Sequence, residues 1–345
     1  MRIKELAIFN PKGNKPIDYI NYVDTASVED GKLVGVQNLS SDIPSRAQRV
    51  IEKDDILISS VRPILKHNYY VNAPILHGVA STGFIQIRVN DSRALSRFLY
   101  YYLTVDSKVQ YYQTIAETSQ STFPSFNKDV IEEMNFPDIS IVEQQHIVDI
   151  LGTLDEKIEN NTKKKDSLLQ LYSIEYKKLI ANLPKSNALF SIASVESGKR
   201  PIVKNDTKDN TYTIPIIGAS SIMGFTSNYL YDEPILVIGR VGTHGIVQPI
   251  FYRSWPSDNT LVIKSPYYSF AFQVLSNIDY QSINKGSTQP LITQTDIKNT
   301  RIALPDEESL LRFETTYQMS VLNEIDIENQ KINELKQLYL KKFFG

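Results

Sequence analysis

The chain has 345 residues, 41% of them hydrophobic and 22% charged, with a formal net charge of −2 and no cysteine. That length suits two domains, and the missing cysteines exclude disulfides, thiolate metal sites and cysteine nucleophiles. No run approaches the ~20 apolar residues of a membrane span, and Met1-Arg2-Ile3-Lys4-Glu5 opens no signal peptide, so the chain is expected to be cytoplasmic with no membrane partner.

In chain order, the first predicted element of note is an apolar β run, Asp55-Ile56-Leu57-Ile58-Ser59-Ser60-Val61-Arg62, followed by a polar loop with Lys66, His67 and Tyr69. An aromatic stretch follows, Phe98-Leu99-Tyr100-Tyr101-Tyr102, then Tyr111-Tyr112. Aromatics at this density read as helix packing against a sheet, with base stacking as the alternative. Next come Ser119-Gln120-Ser121-Thr122, Pro124, Asp129 and Phe136-Pro137. The hydroxyls and amides there read either as caps of a short helix or as contacts to phosphates and base edges.

The same order then repeats. Ser197-Gly198-Lys199-Arg200-Pro201 opens the second copy, and Pro234-Ile235-Leu236-Val237-Ile238-Gly239-Arg240 is its β run. Behind that run lies a glycine-punctuated loop, Val241-Gly242-Thr243-His244-Gly245, whose spacing does not fit a nucleotide fingerprint. It reads as a tight turn or as a loop that can approach a ligand closely with Arg240, Thr243 and His244. Tyr267-Tyr268-Ser269-Phe270, then Lys285-Gly286-Ser287-Thr288-Gln289-Pro290, Asp296 and Leu304-Pro305 complete the copy. An internal repeat of this kind means one structural unit written twice.

After each final proline comes a charged helical segment. In the first, Ile147, Leu151, Leu154, Ile158, Asn161, Lys165, Leu168, Tyr172, Glu175 and Leu179 alternate at spacings of four and three. That is a heptad seam, with polar residues at positions that tend to fix register or partner. The second helix repeats the alternation with Val321, Ile325, Glu328, Ile332, Leu335 and Tyr339. The expected fold is α+β: strand-rich units at 1–138 and 184–305, each a twisted sheet with helices, separated by an antiparallel two-helix coiled coil from 139–183 and 306–345, with pseudo-two-fold symmetry. Independent amphipathic helices packed on their own domains are the alternative. Charge is uneven: about eleven basic and eight acidic residues in 184–305 against about five and eight in 306–345. Lys163-Lys164-Lys165 reads as a solvated helix face. None of His67, His77, His146 and His244 is spaced as a metal ligand, so no metal site is expected.

Phe136-Pro137 followed by Glu143-Gln144-Gln145-His146-Ile147, then Leu154-Asp155-Glu156-Lys157-Ile158-Glu159-Asn160-Asn161, with Gly286-Ser287-Thr288-Gln289-Pro290 and Ser197-Gly198-Lys199-Arg200-Pro201, carry a resemblance across the whole chain. In this order they resemble the specificity subunits of type I restriction–modification systems. Departures are Gln120 in place of a glycine before Ser121, no match to Ser197-Gly198-Lys199 in the first unit, and Leu310-Leu311-Arg312-Phe313-Glu314 where the first helix has Glu-Gln-Gln.

The resemblance implies two target-recognition domains on double-stranded DNA, each reading half of a split site. It also implies docking of two adenine methyltransferase (modification) subunits, which would hold S-adenosylmethionine, and of a restriction–translocase subunit where one exists. This chain would carry no cofactor and no catalysis, and it lacks an Asn/Asp-Pro-Pro-Tyr loop, a Walker motif and His-Glu-x-x-His. Candidate DNA contacts are Arg62, Lys66, His67, Tyr69, Gln120, Ser121, Thr122, Lys199, Arg200, Arg240, Thr243, His244, Lys285, Ser287, Thr288 and Gln289. A helix of roughly 35–40 residues is about 55 Å long, on the order of 15 base pairs, so the coiled coil would act as a ruler between half-sites. The alternatives are a coiled-coil protein-interaction scaffold, which the near-neutral charge favours, and a specificity subunit of a type IIB-like system.

Overall fold

The computed structural model describes residues 1–16, 18–29, 31–119, 124–241, 245–283 and 291–345. It divides into two compact units, one of Met1–Lys157 with Lys331–Gly345, the other of Ile158–Gln330.

In the first unit a four-stranded antiparallel sheet runs in the order Ala7–Phe9, Phe84–Val89, Ile56–Ser59, Tyr69–Tyr70. All four residues of Ile56–Ser59 are buried because both faces of the strand are covered, which is why it reads as a continuous apolar run. Side chains alternate across a strand. Ile56 and Ile58 therefore join the core beneath the helices, with Phe98 and Leu99, while Leu57 points the other way, into a cluster with Val23 and Phe84. A second sheet runs Gln37–Leu39, Ile20–Val23, Gly78–Ser81, Ala47–Val50, with its two inner strands parallel. Helices α1 (Ser96–Thr104), α2 (Asp106–Glu117) and α3 (Asp129–Glu132) follow.

Helix α4 (Ile141–Ile180) begins in this unit. Ser140 and Glu143 form its capping box: Ser140 N donates to Glu143 Oε2 (2.9 Å) and Glu143 N to Ser140 Oγ (3.2 Å). Ile147 and Leu151 are buried in the same core as Phe98.

The second unit repeats the plan. Its main sheet is Ser194–Ser197, Thr260–Lys264, Ile235–Gly239, Val247–Ile250, antiparallel throughout. Leu236 and Ile238 face the helices, and Ile235 and Val237 the opposite cluster. The second sheet, Ile222–Thr226, Ile214–Ile217, Trp255–Pro256, again has one parallel pair, and among the described residues a single antiparallel bridge, Tyr231 to Ser254, stands where the first unit has the strand Ala47–Val50. Helices α5 (Tyr268–Ser276) and α6 (Gln294–Lys298) take the places of the aromatic helix and the short helix. The two units thus share one order of strands in the main sheet and one parallel pair in the second.

The C-terminal segment, expected as one helix, is two: α7 (Glu307–Thr316), with Asp306 accepting from Ser309 N as its cap, and α8 (Met319–Phe344). The break at Tyr317 lets its ring pack edge-on to Tyr172 (5.4 Å) and against Phe313 (4.9 Å). α4 and α8 pair antiparallel. In the second unit Tyr172 Oη donates to Gln318 O (3.3 Å), Lys165 meets Asp326 (2.6 Å), and Asn161 Nδ2 donates to Asn329 Oδ1 (2.9 Å) and Glu328 Oε2 (2.8 Å). In the first unit Lys336 meets Asp155, which also accepts from Tyr101 Oη (2.7 Å).

All ten seam positions named on α4 are buried or half-buried. On α8, Ile325 is buried and Val321, Ile332 and Tyr339 are half-buried, but Glu328 is exposed and so is Leu335, at 43%. Its neighbour Lys336 faces α4 instead, because Asp155 there offers a charge partner that leucine cannot use. Among the described residues, no helix is long and apolar enough to cross a membrane.

Candidate nucleic-acid interface

The loop after the central strand of the first unit is held in a costly conformation. Arg62 and Lys66, both with left-handed backbone (φ 49° and 53°), bracket a 3-10 turn at Pro63–Leu65. Non-glycine residues rarely adopt that region, and such strain of ~1–3 kcal/mol persists only where neighbours enforce it. Here Arg62 N donates to Pro124 O (2.9 Å), Ile64 N to Gln113 Oε1 (3.2 Å), and Lys66 Nζ pairs with Asp106 (2.6 Å). Buried Asn68 closes the loop by accepting from Ser59 N (2.9 Å). Arg62 is exposed at this loop, and Lys66 and His67 are half-buried beside it. Tyr69, expected among the DNA contacts, is only 8% exposed. Its ring belongs to the core with Leu57 and Phe84, where a residue of the strand's inner face must lie.

In the second unit Lys199 and Arg200 are exposed directly after the strand Ser194–Ser197. Gly198 makes this possible: a Cβ there would stand 2.1 Å from Ser257 O, so only glycine lets the backbone pass so close. Lys199 N then donates to Pro256 O (3.0 Å) and Lys199 O accepts from Trp255 Nε1 (2.7 Å). The first unit solves the same step differently. Asn10 (φ 49°) donates its N–H to Gln86 O (2.7 Å) and accepts from Gln86 N through its side chain (3.0 Å), so its sequence lacks the Ser-Gly-Lys pattern.

Arg240 ends the central strand, but its counterpart is Ser60 rather than Arg62. Val61 bridges to Ser125 as Val241 does to Leu291. Phe126 N donates to Ser60 O as Ile292 N donates to Arg240 O, each at 3.0 Å. The candidates Gln120, Ser121, Thr122, Thr243, His244, Lys285, Ser287, Thr288 and Gln289 lie outside the described residues. Beyond the second cluster, Thr293 and Asp296 form a capping box on α6. Tyr101 and Tyr112 are each 1% exposed, which favours packing over stacking for those two.

Sequence reasoning missed one pair of residues. Gln144 on α4, fully buried, accepts from Leu95 N (2.9 Å) at the start of α1 and donates to Arg93 O (2.8 Å). Glu314 on α7 does the equivalent for α5, accepting from Ser269 N (3.0 Å) and Phe270 N (2.7 Å). Both side chains satisfy helix-start N–H groups that have no partner within the helix. Burial raises the Glu314 pKa above the usual carboxylate value, while those backbone bonds pull it down. The signal was present in the spacing: Gln144 stands three residues before Ile147, one further step along the same seam row.

A family model described as the type I restriction modification DNA specificity domain matches residues 2–170 and again 186–337. The chain belongs to this family. It is 32% identical over 160 residues to the type I restriction enzyme HindI specificity subunit of Haemophilus influenzae, a stretch that is 45% of this chain and only 34% of that protein's length. It is 26% identical over 330 residues to the type I restriction enzyme MjaIX specificity subunit of Methanocaldococcus jannaschii, covering 82% of this chain and 74% of that one. The fold is similar to the crystal structure of the type-I restriction-modification system S subunit from M. genitalium, with a TM-score of 0.62 at 14% identity over 100% of this chain and 95% of that chain. The double match of the specificity-domain model coincides with the duplicated sheet order.

Proposed function

We propose that this chain is the DNA-reading subunit of a restriction–modification complex, without catalysis of its own, each unit recognising one half of a split site. The observation that carries the reading is the duplicated strand order, in which a fully buried central strand ends at the same hydrogen-bonded position in both units, Ser60 in one and Arg240 in the other. Rigid sheets that present side chains on edge loops are what base-edge recognition requires. The paired helices hold the two readers and thereby set the unread gap. Adenine methyltransferase subunits that bind S-adenosylmethionine supply the chemistry, and a restriction–translocase subunit adds cleavage where present.

Methylome sequencing of cells expressing the chain with its modification subunit tests this. The expected result is a split motif with a fixed gap. Replacing residues 1–138 by the corresponding domain of another family member is expected to change one half of that motif and leave the other intact. A change in both halves together, or methylation without sequence preference, overturns the reading. Binding that falls steeply with salt is expected as well, and a protein-interaction scaffold would lack it.

A further inference from the structure

An arginine away from the loop of the first unit has a guanidinium that the chain leaves incomplete. Arg49 lies on the strand Ala47–Val50, whose pairing with Gly78–Ser81 shifts register between Ala47 and Arg49. A bulge of this kind re-aims a side chain out of strict alternation. Arg49 lines an open cleft together with Asn10, Ser60, Thr82, Asn127 and Lys128. The residue is half-buried, and its Nε is buried with no hydrogen-bond partner. Nε is enclosed and cannot itself meet a ligand, which leaves the terminal Nη1 and Nη2, donors that the described residues do not occupy, to act in the open cleft.

At the place of Ala47–Val50, the described residues of the second unit carry only a single antiparallel bridge, Tyr231 to Ser254, and no full strand. Instead, the position that Ser60 holds in the first unit is taken by Arg240, whose Nε is also buried without a partner. Ser60 lines the same cleft as Arg49. A guanidinium thus stands at the end of the central strand in both units, brought there by different elements: by that strand itself for Arg240, and by the neighbouring strand Ala47–Val50 for Arg49.

We propose that Arg49 is a specificity-determining residue of the first unit, its guanidinium fork meeting O6 and N7 of a guanine in that unit's half-site. The inference rests on the DNA-reading function above. The planar fork of arginine matches those two acceptors. The surroundings favour a base edge over a phosphate: Asn10, Ser60, Thr82 and Asn127 are neutral hydrogen-bonding groups, and Lys128 is tied to Glu132 and Asp129. A phosphate anchor gains from clustered free cations.

The test uses the full chain in complex with its modification subunit, on duplexes carrying the methylome-defined motif and each single-base variant. Arg49→Ala is expected to reduce discrimination at one guanine position of the first half-site by roughly 5- to 150-fold, the ~1–3 kcal/mol of a bidentate base contact. The second half-site and the salt slope are expected to be unchanged. Arg49→Lys keeps the charge and the fold but not the fork, and is expected to lose the same discrimination. Arg240→Ala is expected to act on the second half-site alone.

Uniform weakening across all sequences, with the salt slope reduced by about one, makes Arg49 a phosphate anchor and overturns the proposal. So does unchanged discrimination in Arg49→Lys. If the unsubstituted complex shows no sequence preference, the DNA-reading function itself fails. If it shows a motif that Arg49→Lys and Arg49→Ala read equally well, only this inference fails.

Discussion

Gln144 and Glu314 do the same work with different charge, and the difference has a measurable pH dependence. Each receives the N–H groups at the start of the aromatic helix of its unit. The carboxylate of Glu314 has a raised pKa, burial being the largest cause. A raised pKa in the folded state means that the folded chain holds the proton more tightly than the unfolded chain. The stability gained is therefore complete below the unfolded value and lost as pH rises through the folded one. Glu314→Gln keeps an acceptor and removes the charge that burial penalises. It is expected to raise the thermal midpoint at neutral pH, by a gain under about 1 kcal/mol that shrinks as pH falls through the carboxylate range. Thermal melts between acidic and neutral pH check this; a gain that grows on acidification contradicts it. Glu314→Ala orphans two buried N–H groups and is expected to cost about 2 kcal/mol or more.

At the scale of elements, the polar layer between α4 and α8 is where specificity of pairing resides. Asn161, only 5% exposed, holds Asn329 and Glu328, and Lys165 holds Asp326 one turn away. Side-chain bonds across a helix seam fix register at some expense of stability. A double-mutant cycle of Asn161→Ala and Asn329→Ala, followed by denaturant titration, is expected to show a coupling of about 1 kcal/mol. Additive losses would mean that the pair does not bind the helices together.

The α4 seam was legible in the sequence because heptad spacing is local and fully expressed in one strand of text. The strand order was legible only as a repeated succession of motifs. Three features were not. The exposure of Leu335 depends on Asp155 being opposite, the break at Tyr317 depends on the ring of Tyr172, and the strand Ala47–Val50 depends on its pairing to Gly78–Ser81. Each is decided by a partner distant in sequence. The equivalence of Ser60 with Arg240 was hidden for the same reason, since Arg62 is the nearer match by residue type but not by hydrogen bonding. Tyr69 reads in sequence as part of the polar loop, whereas it belongs to the next strand and is largely buried.

For the whole molecule, the division of the chain into units does not follow its order. Residues Lys331–Gly345 belong with Met1–Lys157: Tyr339, Leu340, Phe343 and Phe344 pack on the core that holds Phe98, and the rings of Phe344 and Phe98 lie 5.4 Å apart. Phe344→Ala is expected to destabilise the first unit by about 2 kcal/mol, the ring being partly rather than fully enclosed. Hydrogen exchange at α1 should quicken while α5 keeps its protection; equal loss in both would contradict a local role. The arrangement also bears on biosynthesis. On a ribosome the amino-terminal half emerges first, yet the aromatic side chains that cover part of its core are among the later residues translated. That half must therefore wait, with apolar surface uncovered, until nearly all of this sequence has left the exit tunnel.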